Sequence, residues 1–139
     1  MSYVFDASGI LALTRKLEGK VIEVMKGNLT ATLALYEAGN ALLKECSLLK
    51  RLRVPEATGT LKFLVSLLDV MKIFDIKDST LAVEALSNAA ELGITYYDSV
   101  YLTIAGRVGG FLVTDDEELL EAARRKGIKA FNSKALPKT

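Results

Sequence analysis

Short runs of apolar residues alternate with longer stretches whose apolar positions recur at helical spacing, and this alternation runs the length of the chain. Tyr3-Val4-Phe5 is a β-branched and aromatic run of the kind a buried strand requires. Asp6-Ala7-Ser8-Gly9 ends it, and Ile10-Leu11-Ala12-Leu13 begins a helix. A second helical stretch is expected over Lys16–Lys26, with Val21, Ile22, Val24 and Met25 as its apolar contacts and Gly27-Asn28 as its stop. Leu29–Leu33, LTATL, alternates like a second strand. Leu35, Ala38, Leu42, Cys46 and Leu49 then share one face of a helix over Ala34–Leu49, with Glu37 in its first turn. Pro55 is placed to open a helix over Glu56–Lys72, whose apolar face runs from Leu61 to Met71.

The second half repeats the pattern. Ile73–Ile76 reads as a third strand. Asp78-Ser79 caps a helix that reaches Leu92 and stops at Gly93. Next come a helix from Asp98 to Val108, a Gly109-Gly110 stop, a strand over Phe111–Thr114 and a helix over Asp116–Lys126. Gly127 ends that helix, and Ile128–Phe131 is an expected last edge strand. Strands alternating with helices predict an α/β fold, a mainly parallel central sheet flanked by helices on both faces. No linker, repeat or low-complexity stretch divides the chain, so residues 1–139 are expected to form one domain.

In such a sheet ligands bind outside the carboxyl ends of the strands. Asp6 follows the first strand, Glu37 begins the helix after the second, and Asp115-Asp116 follow Phe111–Thr114. These acids should share one rim. Asp98 joins them only if its helix N-terminus points the same way. Each acid also has a purely structural explanation. Thr114-Asp115-Asp116-Glu117 fits a capping box with Thr114 as N-cap, and Thr95-x-x-Asp98 fits a weaker one. Carboxylates in a first helical turn gain about 0.3–1 kcal/mol from the helix dipole alone.

Composition narrows the chemistry. The 139 residues are half apolar, with a formal net charge of +1, no His and one Cys. Imidazole catalysis and His- or Cys-built zinc sites are excluded. No apolar run reaches the length of a membrane span, and the N-terminal MSYVFDAS lacks a signal-peptide pattern, so a cytoplasmic setting is the expectation. Bulk positive charge is too small to grip a nucleic acid, so local patches or bound cations would have to hold one. Carboxylates about 4–6 Å apart repel by on the order of 1–4 kcal/mol per pair. A cluster is kept where a cation sits in it or a proton is shared. An all-oxygen set suits Mg²⁺ or Mn²⁺, with phosphodiester hydrolysis as the reaction.

Four blocks, in order, carry a resemblance: Val-Phe-Asp6-Ala-Ser8, Tyr-Glu37-Ala-Gly-Asn40-Ala-Leu-Leu, Tyr-Asp98-Ser-Val-Tyr101-Leu-Thr-Ile-Ala105 and Leu-Val-Thr114-Asp-Asp116-Glu-Glu-Leu. Over essentially its whole length the chain resembles the PIN domain, in particular the VapC-type ribonuclease toxins of toxin–antitoxin pairs. The resemblance implies a parallel sheet between two layers of helices. It implies that Asp6, Glu37, Asp98 and Asp116 form an acidic pocket for Mg²⁺ or Mn²⁺, where activated water attacks an RNA phosphodiester. It also implies support from Ser8 and Thr114, with Asn40 near the pocket. The family turn is Thr-x-Asp, which selects Asp116; Asp115 either shares the metal or faces solvent. A homodimer inhibited by a small VapB-like antitoxin is implied too; the Leu61–Met71 face is a candidate for either contact and is expected in part to be core, since the sheet needs helices packed against it.

Two basic groups, Lys44, Lys50, Arg51 and Arg53, and Arg124, Arg125, Lys126 and Lys129, either complement helix C-termini or bind phosphates. Tyr96, Tyr97 and Tyr101 are expected to pack, with base stacking left open to one of them. A PIN-fold scaffold without turnover is the competing function, and retention of all four acids argues against it. The order of the acids fits neither a receiver domain nor an Asp-x-Asp phosphatase.

Overall fold

β1 (Tyr3–Phe5) is the middle strand of a five-stranded sheet, order β3-β2-β1-β4-β5, in which every pairing is parallel. The computed structural model describes residues 2–136; Met1 and residues 137–139, which the one-domain expectation includes, lie outside them. The other strands are β2 (Leu29–Ala31), β3 (Lys72–Phe74), β4 (Phe111–Val113) and β5 (Ala130–Phe131). The helices are α1 (Ala7–Leu17), α2 (Val21–Met25), α3 (Leu33–Ser47), α4 (Val54–Leu68), α5 (Ser79–Leu92), α6 (Tyr96–Val108) and α7 (Glu117–Arg125). α1, α3 and α4 form one contacting group, and α5, α6 and α7 the other. The result is a three-layer α/β fold.

The chain steps from β1 to β2 to β3 in one direction, then returns to place β4 and β5 on the other side of β1. The strand order therefore reverses between β1 and β4, and the crevice at the carboxyl ends of these two strands is the switch point where α/β sheets bind ligands. β1 and β4 align Tyr3 with Phe111 and Phe5 with Val113. Asp6 and Thr114, one residue beyond the aligned ends, emerge side by side. α6 leads into β4 and must run back along the sheet to do so, which brings its N-terminus to this same edge. That settles the direction of the Asp98 helix.

The core is built from Val4, Phe5, Leu29, Leu112 and Val113 on the strands, and from Leu64, Leu81, Leu119 and an unbroken buried run over 99–105 of α6. A helix apolar on nearly every side must lie between other elements. Its polar side chains pair with α5: Ser99 Oγ donates to the Ala85 carbonyl (2.6 Å), and Asn88 Nδ2 donates to Thr103 Oγ1 (3.0 Å). Thr95, Asp78, Gly93 and Gly109 cap helices as their sequence positions predict, both glycines in the left-handed region.

Several boundaries differ from the sequence expectation. α1 starts at Ala7, directly after Asp6, so Gly9 is inside the helix and does not stop the strand. The expected helix over Lys16–Lys26 is broken by a 3₁₀ turn, Glu18–Lys20, where Glu18 takes φ 53°. Glu37 lies beyond the first turn of α3, which begins at Leu33. Asp116, not Thr114, caps α7: its carboxylate accepts from Leu119 N at 3.1 Å, because the Thr114 hydroxyl is engaged elsewhere.

Gly9 has a steric reason to be there. A Cβ at this position would lie 2.7 Å from the Val113 carbonyl oxygen, so α1 approaches the end of β4 only where a side chain is missing. Gly9→Ala should lower unfolding free energy by about 1–3 kcal/mol, the usual cost of overpacking. Gly19→Ala meets nothing within 4 Å and should stay within about 0.5 kcal/mol. Urea unfolding of the two variants checks both values.

Candidate active site

Asp6 is buried beneath the carboxyl ends of β1 and β4 and serves as the N-cap of α1. Its Oδ1 accepts from Ser8 Oγ (2.8 Å) and from Gly9 N (2.8 Å), and its Oδ2 accepts from the Thr114 hydroxyl. Each hydroxyl also accepts an amide of the turn after β4, Ser8 from Asp115 N (3.0 Å) and Thr114 from Asp116 N (3.0 Å). With both hydroxyl protons given to Asp6, the 3.3 Å approach of Ser8 to Thr114 is a contact between oxygens. One carboxylate thus joins the end of β1, the start of α1 and the turn leading to α7.

The other acids surround it. A cavity of about 420 Å³ is lined by Asp6, Glu37, Asp98 and Asp116, together with Ser8, Asn40 and Lys44. Glu37 reaches it from α3, and its Oε1 accepts the phenol of Tyr101 on α6 at 2.7 Å. Asp98 reaches it from the first turn of α6, and Asp116 from the cap of α7. Asp115 does not line the cavity. Its two carboxylate oxygens accept from Ser133 N (2.7 Å) and Ser133 Oγ (2.8 Å), fastening the segment after β5. Its link to the site is its backbone amide on Ser8.

Two residues of the cavity region do more than their sequence pattern predicts. Tyr101 is fully buried, as a packing residue should be, yet its hydroxyl holds Glu37. Its helical spacing from Asp98 was visible, but the partner 64 residues away was not. Sequence clustering places Lys44 with the basic residues toward the end of α3. It lies two turns after Glu37 on the same face, a spacing that 3.6 residues per turn makes legible.

The electrostatics follow from burial and crowding. Burial pushes the Asp6 carboxyl up to about 7; the Thr114, Gly9 and Ser8 donors oppose this, and the Asp98 charge adds to it. Asp98 is pushed up to about 6, first by burial, then by the Asp116 and Glu37 charges. Burial also raises Glu37, against the Tyr101 hydroxyl, and Asp116 raises it further. Burial, followed by the Glu37 charge, drives the Tyr101 phenol far above its ordinary range, so it remains a donor. Among the described residues no three Asp, Glu or Cys side chains converge tightly enough to hold an ion by themselves.

For Asp6 and Asp98 the folded chain keeps protons that the unfolded chain releases above about pH 4. Their contribution to stability is complete below the unfolded pKa and is lost as pH rises through about 6 and 7. Glu45, lowered by its Arg15 hydrogen bond, and Asp78, lowered by Thr80, act below that window. In EDTA, stability should therefore fall between pH 5 and 7.5, by up to about 1.4 kcal/mol per pH unit for each titrating carboxylate. Asp98→Asn should flatten the profile and exceed wild type at pH 7.5. A flat or rising wild-type profile from urea unfolding would contradict this arrangement.

No family model matches the chain. It is 36% identical over 127 residues to the exonuclease VapC9 of Pyrobaculum aerophilum, covering 91% of this chain and 88% of that protein. It is 32% identical over 129 residues to the ribonuclease VapC3 of the same organism, covering 87% and 94%. The crystal structure of PAE2754 from Pyrobaculum aerophilum superimposes with a TM-score of 0.76 at 33% identity, over 96% of this chain and 92% of that one. A DNA-bound VapBC structure from Salmonella typhimurium shares the fold, with a TM-score of 0.63 at 19% identity over 96% and 98%. With its parallel three-layer fold and this similarity along most of its length, the chain belongs to the VapC-type PIN-domain family.

Proposed function

We propose that this chain is a Mg²⁺- or Mn²⁺-dependent endoribonuclease toxin acting as one domain, paired with a small VapB-like antitoxin and assembled as a homodimer. The observation that carries the reading is the cavity lined by four carboxylates at the sheet's switch point. The names of the similar proteins, ribonuclease and exonuclease, support nuclease chemistry, and the VapBC complex among the shared folds supports an antitoxin partner.

The donor set fits a hard cation. Every side chain proposed to hold it, Asp6, Glu37, Asp98 and Asp116, offers oxygen. Asp6 Oδ2 accepts one hydrogen bond and keeps a second lone pair. The upward shifts of Asp6, Glu37 and Asp98 express burial first and mutual repulsion after it, and a nearby positive charge would oppose both. Mg²⁺ commonly keeps several waters and takes only one or two carboxylates directly, which suits acids that do not converge on one point. Such a cation, when bound, supplies a water of lowered pKa and neutralises charge on a phosphoryl oxygen.

The chain's own residues do the positioning. Ser8, Gly9 and Thr114 fix the rotamer of Asp6, and Tyr101 fixes Glu37, so neither carboxylate swings free on an exposed stem. Asp6 and Asp116 sit at helix N-termini and Asp98 in a first turn, where the helix dipole favours the charged form. For Asp6 and Asp98 burial works against that preference, so their anionic state depends on a compensating charge. Asn40 adds a neutral amide beside the acids, able to donate to a phosphate oxygen or a sugar hydroxyl. End-dependent cleavage is the second reading, because the 36% identical relative is named an exonuclease.

Thermal unfolding with and without millimolar Mn²⁺ should show a gain for wild type and little or none for Asp98→Asn. A site at 100 times its Kd contributes about 2.7 kcal/mol. Wild type with Mn²⁺ should cleave single-stranded RNA, and Asp6→Asn should lose the activity while remaining folded. Cutting of a circular RNA identifies internal cleavage; a circle left intact while linear RNA is degraded identifies end-dependent cleavage. No Mn²⁺ shift together with no cleavage would return the acids to a capping role.

A further inference from the structure

The cavity that holds the acids also holds one cation of the chain's own. Lys44 lines it from α3, the helix that contributes Glu37 and Asn40. Seven residues separate Glu37 from Lys44, nearly two helical turns, so the two share a face and stand about 10 Å apart along the axis. Asn40 falls between them at i+3. The face of α3 over the cavity thus reads, in order, acid, amide and ammonium.

Lys44 does not neutralise the acids beside it. Among the described residues it forms no ion pair, whereas neighbouring cations are committed: Arg15 to Glu45, and Arg53 to Glu56. An ammonium on a flexible stem next to several carboxylates collapses onto one of them when it can reach. Lys44 forms no such pair among the described residues, and it stays exposed at the rim. A cluster of carboxylates repels a polyanion approaching from any direction, and this charge opposes that repulsion.

We propose that Lys44 binds a backbone phosphate of single-stranded RNA, one displaced from the phosphate at the carboxylates, and so sets the register of the strand across the cavity. The proposal rests on the nuclease reading for the identity of the strand. Seven residues along α3 offset Lys44 from Glu37, and among the described residues no ion pair joins its ammonium to an acid of the cavity, so it is assigned a substrate-binding role with no part in the chemistry. A polynucleotide is favoured over an acidic protein because the same cavity must admit anionic groups at both ends, one against the carboxylates through a cation and one against Lys44. A regularly spaced polyanion meets both requirements with identical groups.

The test is binding of a fluorescein-labelled single-stranded RNA oligonucleotide, measured by anisotropy across a salt series in millimolar Mg²⁺. The chain carrying Asp98→Asn is used, so that turnover does not consume the probe; this variant weakens the cation site and leaves α3 and Lys44 unchanged, so the salt slope reads the Lys44 contact on its own. Losing one phosphate contact should lower the slope of log K against log salt by about 0.7. Lys44→Gln is expected to show that loss and several-fold weaker binding across unrelated sequences, while Lys44→Arg retains the slope. Lys72→Gln, at the start of β3 and so at the opposite edge of the sheet, is expected to keep it too. Equal losses in Lys44→Gln and Lys72→Gln would reduce the effect to net charge and overturn the proposal. An unchanged slope in Lys44→Gln, or no binding by any variant, would also overturn it, the former leaving Lys44 for an acidic protein partner. Cleavage of the same oligonucleotide by wild type with Mn²⁺ reads the nuclease assignment separately. Absent cleavage with a Lys44-dependent slope would overturn that assignment and uphold the phosphate contact.

Discussion

The fold depends on how a buried carboxylate, Asp6, is satisfied. A carboxylate taken out of water without partners is among the most costly groups a fold can contain. Here Ser8 and Gly9 from α1 and Thr114 from the end of β4 supply three donors. Those donors are available only if β1 and β4 pair in their observed register and α1 begins one residue after the strand. A slip in pairing would carry Thr114 away and leave the charge exposed to an apolar core. The absence of a side chain at Gly9 belongs to the same arrangement, since α1 must come close to the Val113 carbonyl for the donors to reach.

Capping a helix and lining a shared pocket are usually weighed as rival explanations of an acid at a helix start, and at this site they coexist. Asp116 caps α7 through one oxygen and lines the cavity. Asp6 caps α1 and keeps a free lone pair on Oδ2. Thr95 performs the capping of α6, which releases Asp98 from that duty. Helix N-termini gathered on one rim supply partial positive charge where the carboxylates need it. The dipoles do not finish the task, because burial and mutual repulsion still raise Asp6, Glu37 and Asp98.

The periodic parts of this architecture were legible in the sequence. The strand after Gly109-Gly110, the Asp78 and Gly93 boundaries of α5 and the emergence of acids from strand ends all follow from local rules. What local rules miss is interaction across the chain. Thr114 resembles an N-cap because Glu117 follows it at the right interval; its hydroxyl instead serves a carboxylate 108 residues earlier. The Thr-x-Asp turn selects Asp116 but leaves the place of Asp115 open, and Ser133, drawn in after β5, is what engages it away from the cavity. The break after α1 was missed for a different reason. Val21, Val24 and Met25 continue a helical spacing, and a single residue at positive φ is enough to redirect the chain between two pieces that both look helical.

A net charge of +1 looked unfavourable for a nucleic-acid enzyme, but net charge is the wrong quantity at this scale. Salt at physiological strength screens exposed charges beyond about 8 Å, comparable to the distance from Glu37 to Lys44 along α3. A strand lying on this surface responds to each end of the helix face separately, as two local fields of opposite sign. On the proposed reading the acidic end gathers cations and the ammonium end attracts phosphate, a local order that the chain's total of +1 does not reveal. Amphipathic periodicity is normally read as apolar against polar. On α3 the polar side has its own order along the axis, and that order carries the functional information.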